Sequence, residues 1–251
     1  MSVEDSVVIY DNISDGRGKV LLEGFPDVGL VGSIAVSFLI EKLKLREVGY
    51  VDSDLLPPVV AIHNTRVRDL IRIYEGERIV AMFSEIPIPM PLIRPLSREI
   101  VTWAEKHEIG RVVCLTGLAE PRRLDIESPK VFVIASNERF TEYLASSTGA
   151  ETLKDGYIAG INAELLKVGA RRGSDVGVIL AQSHFNYPDP GAAAQLIKHL
   201  PKIIGEEVDI TPLLESAEAI RMQMRDLMRR TAESMGAVQK SKELELPPVY
   251  L

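Results

Sequence analysis

The residues best placed to do chemistry in this 251-residue sequence are His184, Asp189 and Glu85, with the glycine-rich stretch Gly24-Phe25-Pro26-Asp27-Val28-Gly29-Leu30-Val31-Gly32. His184 and Asp189 follow one apolar run, residues 176–181, and Glu85 follows another, residues 78–84. The glycines lie between a short apolar strand and an apolar helix. An imidazole and two carboxylates above strand ends, beside a turn offering backbone N–H groups, would suit general acid–base chemistry over a bound anion. A plainer reading uses the same residues: Asp189 caps a helix that begins near Pro190, His184 hydrogen-bonds locally, and Gly29 and Gly32 allow a tight turn and close helix-on-strand packing. Other chemistries lack their parts. No Lys-Ser/Thr pair follows Gly29, the glycines do not fit G-x-G-x-x-G, and no G-x-S-x-G occurs. His63, His107, His184 and His199 have no metal-binding spacing, and one cysteine, Cys114, cannot build a zinc site, so neither a metal nor a cofactor is implied.

These residues must be positioned by strands alternating with helices. Strands are expected over residues 7–10, 20–23, 48–51, 59–62, 69–74, 78–84, 111–116, 131–135 and 176–181. Helices are expected over 34–43, 98–107 with Ser97 as cap, 138–146, 162–169 and 192–200, and four prolines make 86–96 a loop. Several of the strands are apolar without interruption, as in a sheet covered on both faces. The expected fold class is therefore α/β, a three-layer α/β/α sandwich with a largely parallel sheet over residues 1–208.

Composition narrows the partners. A net charge of −7 argues against nucleic acid or an anionic membrane surface. The lone Cys114 sits in an apolar strand and reads as a core residue, which with the acidic, unleadered start Met1-Ser-Val-Glu-Asp5 fits a reducing, cytoplasmic setting. No apolar run is long enough to span a bilayer.

The end of the chain divides in two. Over residues 209–236 apolar side chains recur at Ile210, Leu213, Ala217, Ile220, Met224 and Leu227, with Thr231 next in register, a three–four spacing that keeps one stripe along a helix. Thr211-Pro212 suits its start and Gly236 its stop. The stripe either joins protomers, through Leu213, Ala217, Ile220, Met224 and Leu227, or covers the chain's own sheet. Residues 237–251 form an expected flexible tail, mostly polar and ending Pro247-Pro248-Val249-Tyr250-Leu251.

That ending resembles the hydrophobic–tyrosine–any-residue (HbYX) terminus of factors that dock on the 20S proteasome. The resemblance implies that Val249 fills a groove, Tyr250 supplies an amphipathic ring, and the carboxylate of Leu251 pairs with a lysine in a pocket between α-ring subunits. Two internal stretches carry a second resemblance: Gly24, Phe25, Pro26, Gly29 and Gly32 after the second strand, and Tyr187-Pro188-Asp189-Pro-Gly-Ala-Ala193 after the last one. Both are similar to markers of the archaeal proteasome-assembly-chaperone family, over about residues 5–235. The family resemblance implies a sandwich like that of nucleoside phosphorylases, no enzymatic activity, and an ATP-independent role as assembly chaperone or activator. It also implies a homo-oligomer, a tetramer or a pentamer, whose partners are 20S α-ring subunits. The alternative is a nucleoside phosphorylase- or hydrolase-like enzyme built on His184, Asp189 and Glu85.

Overall fold

The central strands are apolar on both faces because helices cover both. In the computed structural model, which describes residues 7–245 and the side chains of residues 7–235, β1 (Val8–Asp11), β2 (Val20–Gly24), β3 (Arg46–Asp52), β6 (Ile71–Glu75), β7 (Ile79–Ser84), β8 (Arg111–Ala119), β9 (Val131–Ala135), β10 (Glu151–Thr152) and β11 (Val176–Ser183) form one sheet. Its order is β1-β3-β6-β7-β2-β8-β11-β9-β10. The middle is parallel, with β7, β2, β8 and β11 running together, and the short edge strand β10 is parallel to β9; β1, β3 and β6 pair antiparallel on one side and β9 antiparallel to β11 on the other. The sheet is thus mixed rather than largely parallel, because hairpin turns as short as Glu75 to Ile79 permit only antiparallel neighbours.

Alternation along β2 sorts the core. Val20 and Leu22 face a layer made of α1 (Val31–Lys42), α3 (Glu138–Thr148), α5 (Pro190–Lys198) and α6 (Pro201–Ile204). Leu21 faces the opposite layer, α2 (Met90–Lys106) and α4 (Gly160–Arg172). The three-layer expectation therefore holds. The region of four prolines is only partly a loop: α2 begins at Met90, with Pro91 in its first turn, where a missing N–H has no partner to lose, and Pro95 inside the helix. Ser97 does not cap it. Its hydroxyl, buried mid-helix, donates to the Ile93 carbonyl at 2.7 Å.

A separate hairpin, β4 (Ala61–His63) and β5 (Arg66–Arg68), projects between β3 and β6, with Asn64 and Thr65 at positive φ in its turn. Its polar side holds the body, through His63 to Glu85 at 2.7 Å and Arg68 to Glu47 at 2.8 Å. Ile62 and Val67, directly paired, are exposed.

The end of the chain bends. It comprises α7 (Thr211–Glu215), α8 (Ala217–Gln223) and α9 (Arg225–Glu245), linked by i→i−4 bonds across the breaks at Ser216 and Met224. The Asp209 carboxylate, not the Thr211 hydroxyl, caps the start, accepting the Thr211 N–H at 3.0 Å. Gly236 does not end the helix. A lone glycine costs roughly 1 kcal/mol against alanine, and the following Ala, Gln, Lys and Glu residues are helix formers that carry α9 to Glu245. Val249, Tyr250 and Leu251 lie outside the described residues. Among the described residues no helix is long and apolar enough to cross a membrane.

Candidate functional site

The two marker stretches meet above the carboxyl ends of β2, β8 and β11. After Gly24 the chain makes a single 3-10 turn, Val28–Leu30, in which Gly29 (φ 61°) and Leu30 (φ 51°) are both left-handed. Glycine takes that conformation freely; for the buried Leu30 it costs roughly 1–2 kcal/mol. The turn is held because a Cβ on Gly29 would come within 2.8 Å of the His184 carbonyl oxygen, and the Gly29 carbonyl itself accepts the Asp189 N–H at 2.9 Å. Gly32 lets α1 cross directly over the backbone of Leu115 in β8.

Asp189 locks the second stretch. It is buried, and its carboxylate accepts from the Ala192 N–H at 3.0 Å, capping α5, and from the Arg123 guanidinium at 2.7 and 3.1 Å. Arg123 stands in the short turn after β8 and also donates to the Ile126 carbonyl at 2.6 Å. The capping expectation for Asp189 is met, and so is the local bond of His184, whose backbone N–H reaches Asp189 at 3.3 Å. Arg123 was legible only as one of two arginines after a proline, with nothing in the sequence to join it to a residue 66 positions later.

Below the glycine turn lies a buried polar cluster that the sequence reading missed. Asp27 accepts from the Thr116 hydroxyl and the Asn162 amide, each at 2.9 Å. Burial pushes its carboxyl above the usual range, against the hydrogen bonds from Thr116, Val28 and Asn162. Glu23, on the same strand face as Leu21, accepts the Phe25 N–H at 2.7 Å and lies against Cys114. Burial, aided by the charge of Asp27, pushes the Glu23 carboxyl up to about 8. Cys114 is the buried core residue expected from its strand.

The acid–base set does not converge. Glu85 at the end of β7 is held by His63 and Arg72, whereas His184 follows β11, and β2 and β8 intervene. Three strand spacings amount to about 14 Å. Asp189 is already committed to Arg123, and burial pushes the His184 imidazole down, helped by Arg123 and Arg221 and opposed by Asp189. Among the described residues no group of three or more His, Cys, Asp or Glu is placed to hold a metal ion.

The heptad stripe turns inward. Leu213 is buried in the α1–α5 layer, Ile220, Met224 and Leu227 pack against it, and Ala217 is half-buried. α7 and α8 lie on α5, and α9 lies on the Val28–Leu30 turn. Leu227→Ala is accordingly expected to lower stability by about 1–2 kcal/mol in urea denaturation, part of the cost of emptying a fully buried leucine site. An unchanged midpoint would place that side chain in solvent. Tyr187 and Pro188, by contrast, line an open groove of about 760 Å³ with Met222 and Met228.

The profile of the PAC2 family matches residues 21–228. An uncharacterized protein of Methanocaldococcus jannaschii is 30% identical over 249 residues, 99% of this chain and 97% of that one. The crystal structure of PbaA of Pyrococcus furiosus, described as an archaeal homolog of proteasome-assembly chaperone, is 31% identical and superimposes with a TM-score of 0.84, covering 91% of this chain and 99% of its own. PbaB of the same organism, described as an archaeal proteasome activator, shares the fold at 22% identity and a TM-score of 0.75, over 88% of this chain and 98% of its own.

Proposed function

The chain belongs to the PAC2 family, and from that premise we propose that it is an ATP-independent factor that binds the 20S proteasome, as assembly chaperone, activator or both. The observation that carries this reading is the likeness to PbaA over nearly the whole chain. The sequence Val249-Tyr250-Leu251 supplies the contact: the HbYX residues enter pockets between α-ring subunits. One such segment buries little surface. Several on one homo-oligomer raise effective concentration, and avidity adds roughly 10²–10⁴-fold. The folded body then has a positioning task, and the interlocked loops of Asp189, Arg123 and Gly29 support it by fixing α5, on which α7 and α8 rest.

Co-sedimentation with archaeal 20S particles tests the proposal. The intact chain is retained. Removing Val249 to Leu251, replacing Tyr250 by alanine, or appending a glycine after Leu251 abolishes retention, with circular dichroism unchanged. Retention that survives all three changes overturns the docking reading. Peptide hydrolysis by the same particles separates gate opening from assembly alone.

A further inference from the structure

The turn that seats α9 is held from below by two carboxyl groups with no cation beside them. Glu23 is the last residue but one of β2, and the loop leaving that strand, Phe25 to Leu30, closes over it. The Phe25 N–H donates to its Oε1, while its buried Oε2 has no hydrogen-bond partner among the described residues. Asp27 accepts the Thr116 hydroxyl and the Asn162 amide on its Oδ2, and its backbone carbonyl accepts the Leu30 N–H at 2.9 Å, closing the turn. On that turn lies α9, and its Gly29 carbonyl holds the Asp189 loop. Around Glu23 the other titratable groups are Asp27 and Cys114; Met82, paired with it from β7, is neutral, as are Thr116 and Asn162. Among the described residues no Lys, Arg or His pairs with either carboxyl.

Ionising both acids with the loop closed would set like charges, and an oxygen without a donor, in a water-poor site. Lifting the loop lets water reach Glu23, and lifting it also undoes the turn. We propose that a proton on Glu23 latches the Phe25–Leu30 loop and with it the seat of α9, so that α9 detaches more readily as pH rises through the neutral range. The sign follows from linkage. The closed loop keeps the proton because burial holds the Glu23 carboxyl up to about 8, whereas a solvated Glu23 releases it above 4.5. Each opening therefore releases one proton, so opening gains about ten-fold per pH unit between those values and levels off above the upper one. Asp27, whose carboxyl burial also raises, acts in the same direction. His184, in the loop bonded to Gly29, acts in the other. Burial, with Arg123 and Arg221 and against Asp189, holds its imidazole below the usual range, so its protonation loosens the loop only at lower pH. The latch itself needs no proteasome. Its regulatory use rests on the docking reading: several tails engage one particle only while each α9 keeps its heading, and retention weakens as α9 detaches.

Hydrogen exchange on the full chain, with the intrinsic pH dependence of exchange removed, tests the latch between pH 6.5 and 7.5, above the range in which His184 gains its proton. Amides of residues 27–31 and 225–235 lose about ten-fold in protection over that unit. Those of hairpin β4–β5, which opens without disturbing Glu23, hold steady. Glu23→Gln keeps the acceptor for the Phe25 N–H but cannot ionise, so it flattens the slope at α9. Asp27→Asn keeps most of the slope, because burial, more than the charge of Asp27, is what holds the Glu23 proton. Protection at α9 that ignores pH, that changes equally in the hairpin, or that keeps its slope in Glu23→Gln overturns the proposal. Co-sedimentation over the same range reads the consequence: 20S retention of the intact chain falls as pH rises, and that of Glu23→Gln does not. A flat exchange profile, with retention still lost on removal of Val249 to Leu251, overturns the latch alone. A sloped profile, with retention indifferent to that removal, overturns the docking reading alone.

Discussion

Gly32→Ala is expected to cost about 3–5 kcal/mol, enough to leave much of the chain unfolded at 37 °C. The added Cβ would stand within 2.8 Å of the Leu115 carbonyl carbon and nearer still to its oxygen. Neither partner has room to retreat. Leu115 is mid-strand in β8, paired with Ile179 of β11, and its neighbour Cys114 is paired with Glu23 of β2, while α1 is pinned by the buried Leu30, Val31 and Ile34. Lifting α1 would open space along the whole α1–β8 contact, at the price of dispersion contacts on both surfaces. Gly110→Ala, where an added Cβ meets nothing within 4 Å, serves as control and should stay within about 0.5 kcal/mol of the parent. Urea denaturation followed by circular dichroism decides. A Gly32→Ala chain within 1 kcal/mol of the parent would show that α1 does not cross β8 as described.

Glu23→Gln should have the opposite sign and should depend on pH. The buried Glu23 carboxyl holds its proton up to about 8, against a value of 4.5 when solvated. The folded state therefore keeps a proton that the unfolded chain releases between those values. Stability contributed by the protonated acid is complete below pH 4.5, falls as pH rises through the window, and levels off above about 8. Across the window the loss is on the order of 4–5 kcal/mol. Glutamine keeps the acceptor for the Phe25 N–H and never ionises. The variant should match the parent near pH 4.5 and exceed it by several kcal/mol above pH 8, with part of the slope remaining because burial also raises Asp27. Parallel stability curves for parent and variant between pH 5 and 9 would refute this account of Glu23.

The layers and the central strands were legible because burial on both faces leaves a plain mark: nearly uninterrupted apolar runs at β2, β8 and β11. The antiparallel flanks were not, since strand direction is set by connection length and by which edge each hairpin joins. Of hairpin β4–β5 only the first strand was marked, over residues 59–62; its partner was not, because the turn is Asn64-Thr65, lacking the glycine that usually announces positive φ. At the site, the glycine turn and the Asp189 cap could be read from local spacing. The Arg123–Asp189 pair and the Asp27, Thr116 and Asn162 cluster could not, because each joins residues far apart in sequence through tertiary contact. The three–four pattern of α7–α9 correctly marked a helix with an apolar stripe. Periodicity says that a stripe needs cover, not what supplies it, and here the chain's own α1–α5 layer does so.

That α9 continues through Gly236 to Glu245 makes this segment a ruler. The direction in which α9 faces at Glu245 is set by helical pitch, so deleting one residue from α9 turns that end by about 100° while shortening the helix by only about 1.5 Å. Removing seven nearly preserves the azimuth and subtracts about 10 Å. Angular phase and span become separately adjustable, and sequence length in this segment is a geometric quantity that natural variation can set in steps of one residue.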